Sequence, residues 1–185
     1  MSFDMGGTST DVCRFAGEYE RVFEVETAGI RYQANMLQIE TVAAGGGSIL
    51  TFDGQRMRVG PDSAGVDPGP ACYGWGGKSP TVSDANLILG RLNPDYFLGG
   101  KLLLYPDRAK AALKKNIAAK MGISVEEAAA GIIRIVNAHM AKGISGNSVE
   151  RGYDLRDFAL VTMGGAAALH AADIARELSI KKIIV

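Results

Sequence analysis

Two short stretches of the sequence concentrate groups that can handle phosphate. In Asp4-Met5-Gly6-Gly7-Thr8-Ser9-Thr10-Asp11 an apolar run delivers a carboxylate, two glycines follow, and hydroxyls and free amides come next. Paired glycines let the backbone turn sharply, and the N–H groups of such a turn can wrap a phosphate. The Asp4 carboxylate can hold Mg²⁺ there, often through water. A plain β-hairpin, with its Asp and Thr side chains bonded to the turn, uses the same residues. The second stretch, Phe158 to Ala171, reads as a buried strand that ends at Gly164-Gly165 and passes at once into a helix of small residues. Paired glycines beside a helix N-terminus let a flat or phosphorylated ligand lie against the backbone. Tight strand–helix packing explains them equally well.

Other chemistries are excluded by what the chain lacks. Gly76 to Ser79 ends like a P-loop, but that pattern requires glycine where Cys72 stands. No G-x-G-x-x-G follows a strand, and neither G-x-S-x-G nor H-E-x-x-H occurs. With two histidines, His139 and His170, this chain cannot build a three-His metal site. His170 reads as a satisfied helix-start residue and His139 as structural. Cys13 and Cys72 form no metal or redox motif, so free thiols and a cytoplasmic setting are expected. Asp62, Asp67 and Cys72 lie on a Gly/Pro-rich loop, where they line a substrate or subunit surface or simply shape the loop.

The elements that must position these groups follow from pattern. Strands are expected at the start of the chain, over Met1–Met5, Thr10–Phe15 and Arg21–Glu26, while residues 27–41 fit no single pattern. Gly45 to Gly60 reads as a hairpin turning at Asp53-Gly54. Residues 60–80 are too rich in Pro and Gly for regular structure. Ser83 caps a short helix over Asp84–Leu92, and a second, basic-faced helix covers Asp107–Met121 and stops at Gly122. Ser124 to Glu127 is a capping box opening a long helix, whose Ala128, Ile132, Ile135, Val136 and Met140 share one stripe. Gly143 and Gly146 are expected to kink it. A buried strand over Asp157–Met163, a helix over Ala167–Leu178 and a final strand then give a mixed sheet with packed helices, its last strands parallel.

Composition sets outer limits. The chain has 185 residues, 47% of them hydrophobic, with 20 basic residues balancing 20 acidic ones. That balance gives no electrostatic case for nucleic acid or a membrane surface, and no apolar run approaches the roughly 20 residues of a membrane span. The chain opens and closes on strand-like segments, so a segment of a longer polypeptide is expected.

Two glycine turns separated by a long helix resemble the phosphate and adenosine motifs of the actin-like ATPase (ribonuclease H-like) fold. Longer strings are more specific. Ser2 to Val12, Ala44 to Ile49, Val59 to Gly74, Pro80 to Leu92, Ser148 to Val161 and Gly164 to Ala171 resemble the hydantoinase A/5-oxoprolinase family, which includes an acetone carboxylase subunit. The chain departs from the family at Ala43, at Ala167-Ala168 (for the usual Gly-Pro) and at Trp75, where arginine is common. The resemblance implies an α/β fold, the second half of the ATPase core, with residues 1–185 one domain or fragment carrying the 60–80 loop. It implies ATP and Mg²⁺ as cofactors, with Asp4 as metal ligand, Gly6, Gly7, Thr8, Ser9 and Thr10 around the phosphates, and Gly164 and Gly165 facing the nucleotide. Asp11 would position the attacking or transferred group, so that Asp4 and Asp11 form the catalytic pair. The implied reaction is ATP-dependent opening of a cyclic amide such as a hydantoin or 5-oxoproline. A subunit of a ketone carboxylase, a small-molecule kinase and a non-catalytic nucleotide-binding or assembly module stay open beside it. Implied partners are the N-terminal half of the same polypeptide, a hydantoinase B-type subunit or domain and a small cyclic-amide substrate. The isolated chain is expected to be inactive.

Overall fold

The computed structural model describes residues 1–27 and 29–185. Nine strands and five α-helices are formed among them. The central sheet has the order β5-β2-β1-β8-β9, built from β1 (Ser2–Met5), β2 (Thr10–Cys13), β5 (Ile39–Val42), β8 (Ala159–Met163) and β9 (Lys182–Ile184). β1 pairs antiparallel with β2 and parallel with β8, and β8 pairs parallel with β9. The expected mixed sheet with parallel last strands is therefore present. Two hairpins flank it: β3 (Arg21–Thr27) with β4 (Ile30–Leu37), and β6 (Ser48–Phe52) with β7 (Met57–Ser63). Of the stretch that fitted no single pattern, residues 30–37 and 39–42 are thus strand, while residue 28 lies outside the described residues.

Alternation along β1 and β2 sorts the sheet's two faces. Phe3, Met5, Thr10 and Val12 point into the core, whereas Asp4 and Asp11 point away from it. The core is capped by α4 (Val125–Gly146), whose Ala128, Ile132, Val136, Met140 and Ile144 are buried. Ser124 and Glu127 form the expected capping box: the serine hydroxyl receives the Glu127 N–H and the glutamate receives the Ser124 N–H. α4 is continuous through Gly143 and ends at Gly146. A Cβ on Gly143 would lie 2.5 Å from a Val42 methyl, so this glycine serves close helix–strand packing. α5 (Gly164–Glu177) packs on β8 and β1.

Three boundaries differ from expectation. The short helix α1 spans Val82–Ile88 and is capped by Thr81, not Ser83, in a capping box completed by Asp84. Tertiary contact decides the register, because the Ser83 N–H donates to Gly46 O at 2.7 Å. The second helical run starts at Pro106 as α2 (Pro106–Leu113), passes through a π-turn at Lys114–Ala118 and ends in α3 (Ala119–Met121). Gly122, at φ 68°, stops it as expected. The 60–80 loop is more regular than its composition suggests, since β7 extends to Ser63 and a 3₁₀ turn covers Ala71–Tyr73.

Cys13 and Cys72 are both free thiols. Cys72 is buried, and desolvation, with the Asp84 carboxylate beside it, pushes its thiol far above the ordinary range. Its thiol is shut off from solvent and takes no part in lining the cleft described below. A thiol reagent should count two groups in the denatured, unreduced protein and leave Cys72 unlabelled in the native state. A count of zero would contradict the structure.

Candidate functional site

Because β1 and β8 are parallel neighbours with Asp4 opposite Met163, the two glycine turns leave the sheet at the same edge. Open α/β sheets hold their ligands in crevices outside such strand ends. A third glycine segment, Gly45-Gly46-Gly47, packs between them. Gly46 and Gly47 donate their N–H groups to the Gly6 and Gly7 carbonyls at 3.0 and 2.7 Å. A Cβ on Gly45 would lie 2.6 Å from the Gly7 carbonyl carbon and 2.7 Å from Thr8 N, so only glycine allows this approach. The local pattern of Gly45 to Gly47 predicts only the start of a hairpin; their support of the first turn comes from contacts with residues about 40 positions away.

The first turn closes with the Gly6 N–H donating to Ser9 O at 3.0 Å. Among the described residues, the N–H groups of Gly7 and Thr8 meet no backbone acceptor. Gly6, Gly7 and Thr8 are exposed, and Ser9 is half-buried. Thr10 departs from this set. It is fully buried on β2, and its hydroxyl donates to Ala44 O at 2.6 Å and contacts Met140 Sδ at 3.2 Å, so its side chain belongs to the core. The period-2 alternation of a strand turns it away from its neighbours.

Asp4 and Asp11 are brought together. They are directly opposite in the β1–β2 register and share the exposed face. Cross-strand partners place their Cβ atoms about 5 Å apart. Asp11 is held by the Thr41 hydroxyl, which donates to its Oδ1 at 2.6 Å. Two carboxylates and a hydroxyl form an oxygen donor set that suits Mg²⁺, an ion that takes one or two carboxylates and keeps waters and phosphate oxygens for the rest. Among the described residues no larger cluster of metal-ligating side chains exists.

The second turn is the start of α5 itself. Helical structure begins at Gly164 rather than Ala167, and Met163, its N-cap, offers no side-chain cap. The first N–H groups of the helix thus remain available to a ligand. Gly164 has φ 80°, and a Cβ there would collide with the Asp4 carboxylate and the Met5 carbonyl. Gly165 has open space where its Cβ would be.

Both turns face a cleft of about 330 Å³. Part of its wall is glycine backbone, from Gly6, Gly7, Gly46, Gly47 and Gly165; another part is apolar, from Val66, Tyr73, Trp75, Phe97 and Leu98. Tyr73 packs 5.7 Å from both Trp75 and Phe97, ring centre to ring centre. The Gly/Pro loop is thus part of the cleft. Asp84 fixes it, accepting the N–H groups of Ala71 and Cys72 at 3.3 and 2.7 Å and both the N–H and the hydroxyl of Thr81 at 2.8 Å. Asp62 and Asp67 are exposed on the same loop and do not line the cleft.

His170 is fully buried on α5, with Nδ1 2.7 Å from Asn137 Oδ1 and Nε2 3.2 Å from Asn86 Nδ2. It is satisfied, as its position suggested, whereas His139 is exposed on α4 and does not line the cleft. Burial, helped by the Arg91 charge, pushes His170 down to about 4 from its ordinary 6.5. Between those values the unfolded chain binds a proton that the folded chain refuses. Its contribution is therefore complete above pH 6.5 and lost as pH falls toward 4, about 3 kcal/mol in all. Urea midpoints measured across this window should fall less steeply for His170→Gln than for the parent, and equal slopes would contradict the burial of a neutral imidazole.

A mixed sheet with glycine turns at the ends of parallel β1 and β8, backed by long helices, defines an α/β unit of the actin-like ATPase type. Comparison with known proteins is specific: the hydantoinase/oxoprolinase family profile matches residues 1–185, and the chain belongs to that family. It is 47% identical over its whole length to the caprolactamase subunit alpha of Pseudomonas jessenii, covering 27% of that protein. It is 42% identical, again over its whole length, to the 5-oxoprolinase of Saccharomyces cerevisiae, covering 15% of it. Among solved structures, the ATP-dependent caprolactamase of P. jessenii superposes with a TM-score of 0.89 over 98% of this chain and 27% of that one, at 47% identity. Nucleotide-free acetone carboxylase superposes with a TM-score of 0.91 at 33% identity, over 100% of this chain and 26% of that one. The chain thus spans roughly a quarter or less of the relatives it matches. No helix among the described residues is long and apolar enough to cross a membrane.

Proposed function

We propose that this chain is the nucleotide-binding segment of an ATP-dependent enzyme that opens a cyclic amide of the hydantoin or 5-oxoproline type. The observation that carries this reading is the convergence of both glycine turns, with the Asp4–Asp11 pair beside them, at one edge of the sheet. An unstrained lactam carbonyl is a poor electrophile. Transfer of the γ-phosphoryl group from ATP to its oxygen releases ADP and gives an imidate phosphate. One water adds to the carbon and the C–N bond breaks with a proton passing to nitrogen, and a second water hydrolyses the resulting acyl phosphate to carboxylate and phosphate.

In this scheme Asp4 holds Mg²⁺, which supplies charge neutralisation at the phosphates. The free N–H groups of Gly7 and Thr8, with the Thr8 and Ser9 hydroxyls, bind phosphate oxygens. Gly6 shapes the turn, and Thr10 anchors it to the core rather than touching ligand. The bare N-terminus of α5 at Gly164 and Gly165 faces the nucleotide, and Asp11, steadied by Thr41, positions the attacking or transferred group. An actin-like site takes its other phosphate-binding turn from a second lobe, so the rest of the polypeptide completes the cleft, and a hydantoinase B-type partner joins it.

The match to acetone carboxylase favours one second reading, a subunit of an ATP-dependent ketone carboxylase. The test is to incubate the full-length protein with its partner subunit, Mg-ATP and either 5-oxoproline, hydantoin and caprolactam or acetone with bicarbonate. Ring-opened amino acid formed together with ADP is expected. A carboxylated ketone would establish the second reading, and a stable phosphoester or no substrate-dependent ADP would overturn both.

A further inference from the structure

Asn86, on α1, lines the cleft yet is only 1% exposed, and its Oδ1 has no hydrogen-bond partner. An unpaired buried acceptor is costly, and native proteins seldom keep one without a use. Which way this amide points is settled by its neighbours. The Asp173 carboxylate can only accept, so Asn137 turns its Nδ2 toward Asp173 Oδ2, at 3.4 Å, and its Oδ1 toward His170 Nδ1. That oxygen also can only accept, so the imidazole proton is on Nδ1 and Nε2 presents a lone pair. Asn86 must then offer Nδ2 to Nε2, which leaves Oδ1 facing away from the histidine. Arg91 secures the far end of the chain, donating to Asp173 Oδ2 at 2.9 Å and to Leu169 O at 2.8 Å. Five side chains from α1, the turn after it, α4 and α5 thus hold one acceptor in a fixed orientation.

We propose that Asn86 is a specificity residue whose Oδ1 receives a planar N–H group of the ligand seated in the cleft. Two ligands carry such a donor, the ring N–H of an unsubstituted lactam and the amino group of adenine. The inference deepens the function proposed above and rests on it. For a lactam, it means that secondary cyclic amides are selected over N-alkylated ones and over ketones, which have no proton to give. Replacing the donor by a methyl group leaves the acceptor unpaired against carbon, an effect of about tenfold to a hundredfold in binding.

The experiment is isothermal titration of the full-length protein in two arms. One compares ε-caprolactam with N-methylcaprolactam, and the other compares Mg-ATP with the triphosphate of purine riboside, which lacks the amino group. Each is run for the parent, Asn86→Leu, which removes the acceptor, and Asn86→Asp, which keeps one and accepts an Nε2–H from a His170 protonated on both nitrogens in place of donating to it. Asn86→Ser, which withdraws the side chain and admits water to His170, replaces the leucine variant should that fail to fold. The parent is expected to prefer caprolactam at least tenfold, the leucine variant to lose that preference, and the aspartate variant to retain it. Loss confined to the nucleotide arm supports the proposal with adenine as the donor. Equal preferences in parent and Asn86→Leu, with the probes binding, overturn the proposal and leave the lactam reading standing. A parent that binds neither lactam nor nucleotide overturns both.

Discussion

Asp4→Ala in the full-length protein is expected to lower ATP turnover by at least about a hundredfold while leaving the fold intact. Metal-mediated neutralisation of phosphate charge contributes several kcal/mol to phosphoryl transfer, and a carboxylate at the mouth of the turn is the group placed to anchor the ion. Stability should not suffer. Asp4 is exposed and lies directly across from Asp11, so its removal relieves a like-charge contact within the sheet. A melting temperature equal to or slightly above that of the parent, together with lost turnover, is the expected pair of results. A folded variant that hydrolyses ATP at the parental rate would remove Asp4 from the site.

Gly45→Ala should have an effect of similar size for a different reason. The added methyl meets backbone rather than a flexible side chain, with the Gly7 carbonyl carbon at 2.6 Å and its oxygen at 2.7 Å. The first turn must therefore move away from its support, at a cost of about 2 kcal/mol in stability and with loss of the phosphate-binding geometry. Gly7→Ala is the control, because nothing lies within 4 Å of a Cβ at that position. Chemical denaturation should show the Gly45 variant clearly less stable and the Gly7 variant close to the parent. Equal stabilities would mean that the triplet does not support the turn.

What could be read from the sequence was what is encoded locally. The Ser124–Glu127 capping box, the Asp53-Gly54 hairpin and the stop at Gly122 each depend on residues within a few positions of one another, and each forms as expected. Where two local choices competed, the chain alone could not decide. Thr81 and Ser83 are both hydroxyl residues able to cap, and the Gly46 carbonyl, remote in sequence, takes the Ser83 N–H and leaves the cap to Thr81. Thr10 followed the same logic, since its place beside a glycine turn suggested ligand contact while strand alternation sent it to Met140. The Asn86–His170–Asn137 chain joins residues 84 and 33 positions apart, through pairings of helix faces that no short-range pattern records. The Asp4 and Gly164 turns were legible singly; their shared edge follows only from the parallel pairing of β1 with β8.

The four hydrogen bonds gathered by Asp84 bear on how tightly this cleft can hold a small molecule. Tyr73 and Trp75 reach the cleft from a loop whose composition would otherwise leave it many conformations, whereas Asn86 projects from the helix on which Asp84 also sits. With the 3₁₀ turn fastened to that helix by one buried carboxylate, Tyr73 at the end of that turn is held in place relative to Asn86. A ligand meeting both has no loop to order there, so little conformational entropy is lost on binding beyond its own. At Tyr73, therefore, affinity is set by fit rather than by the ordering of a loop.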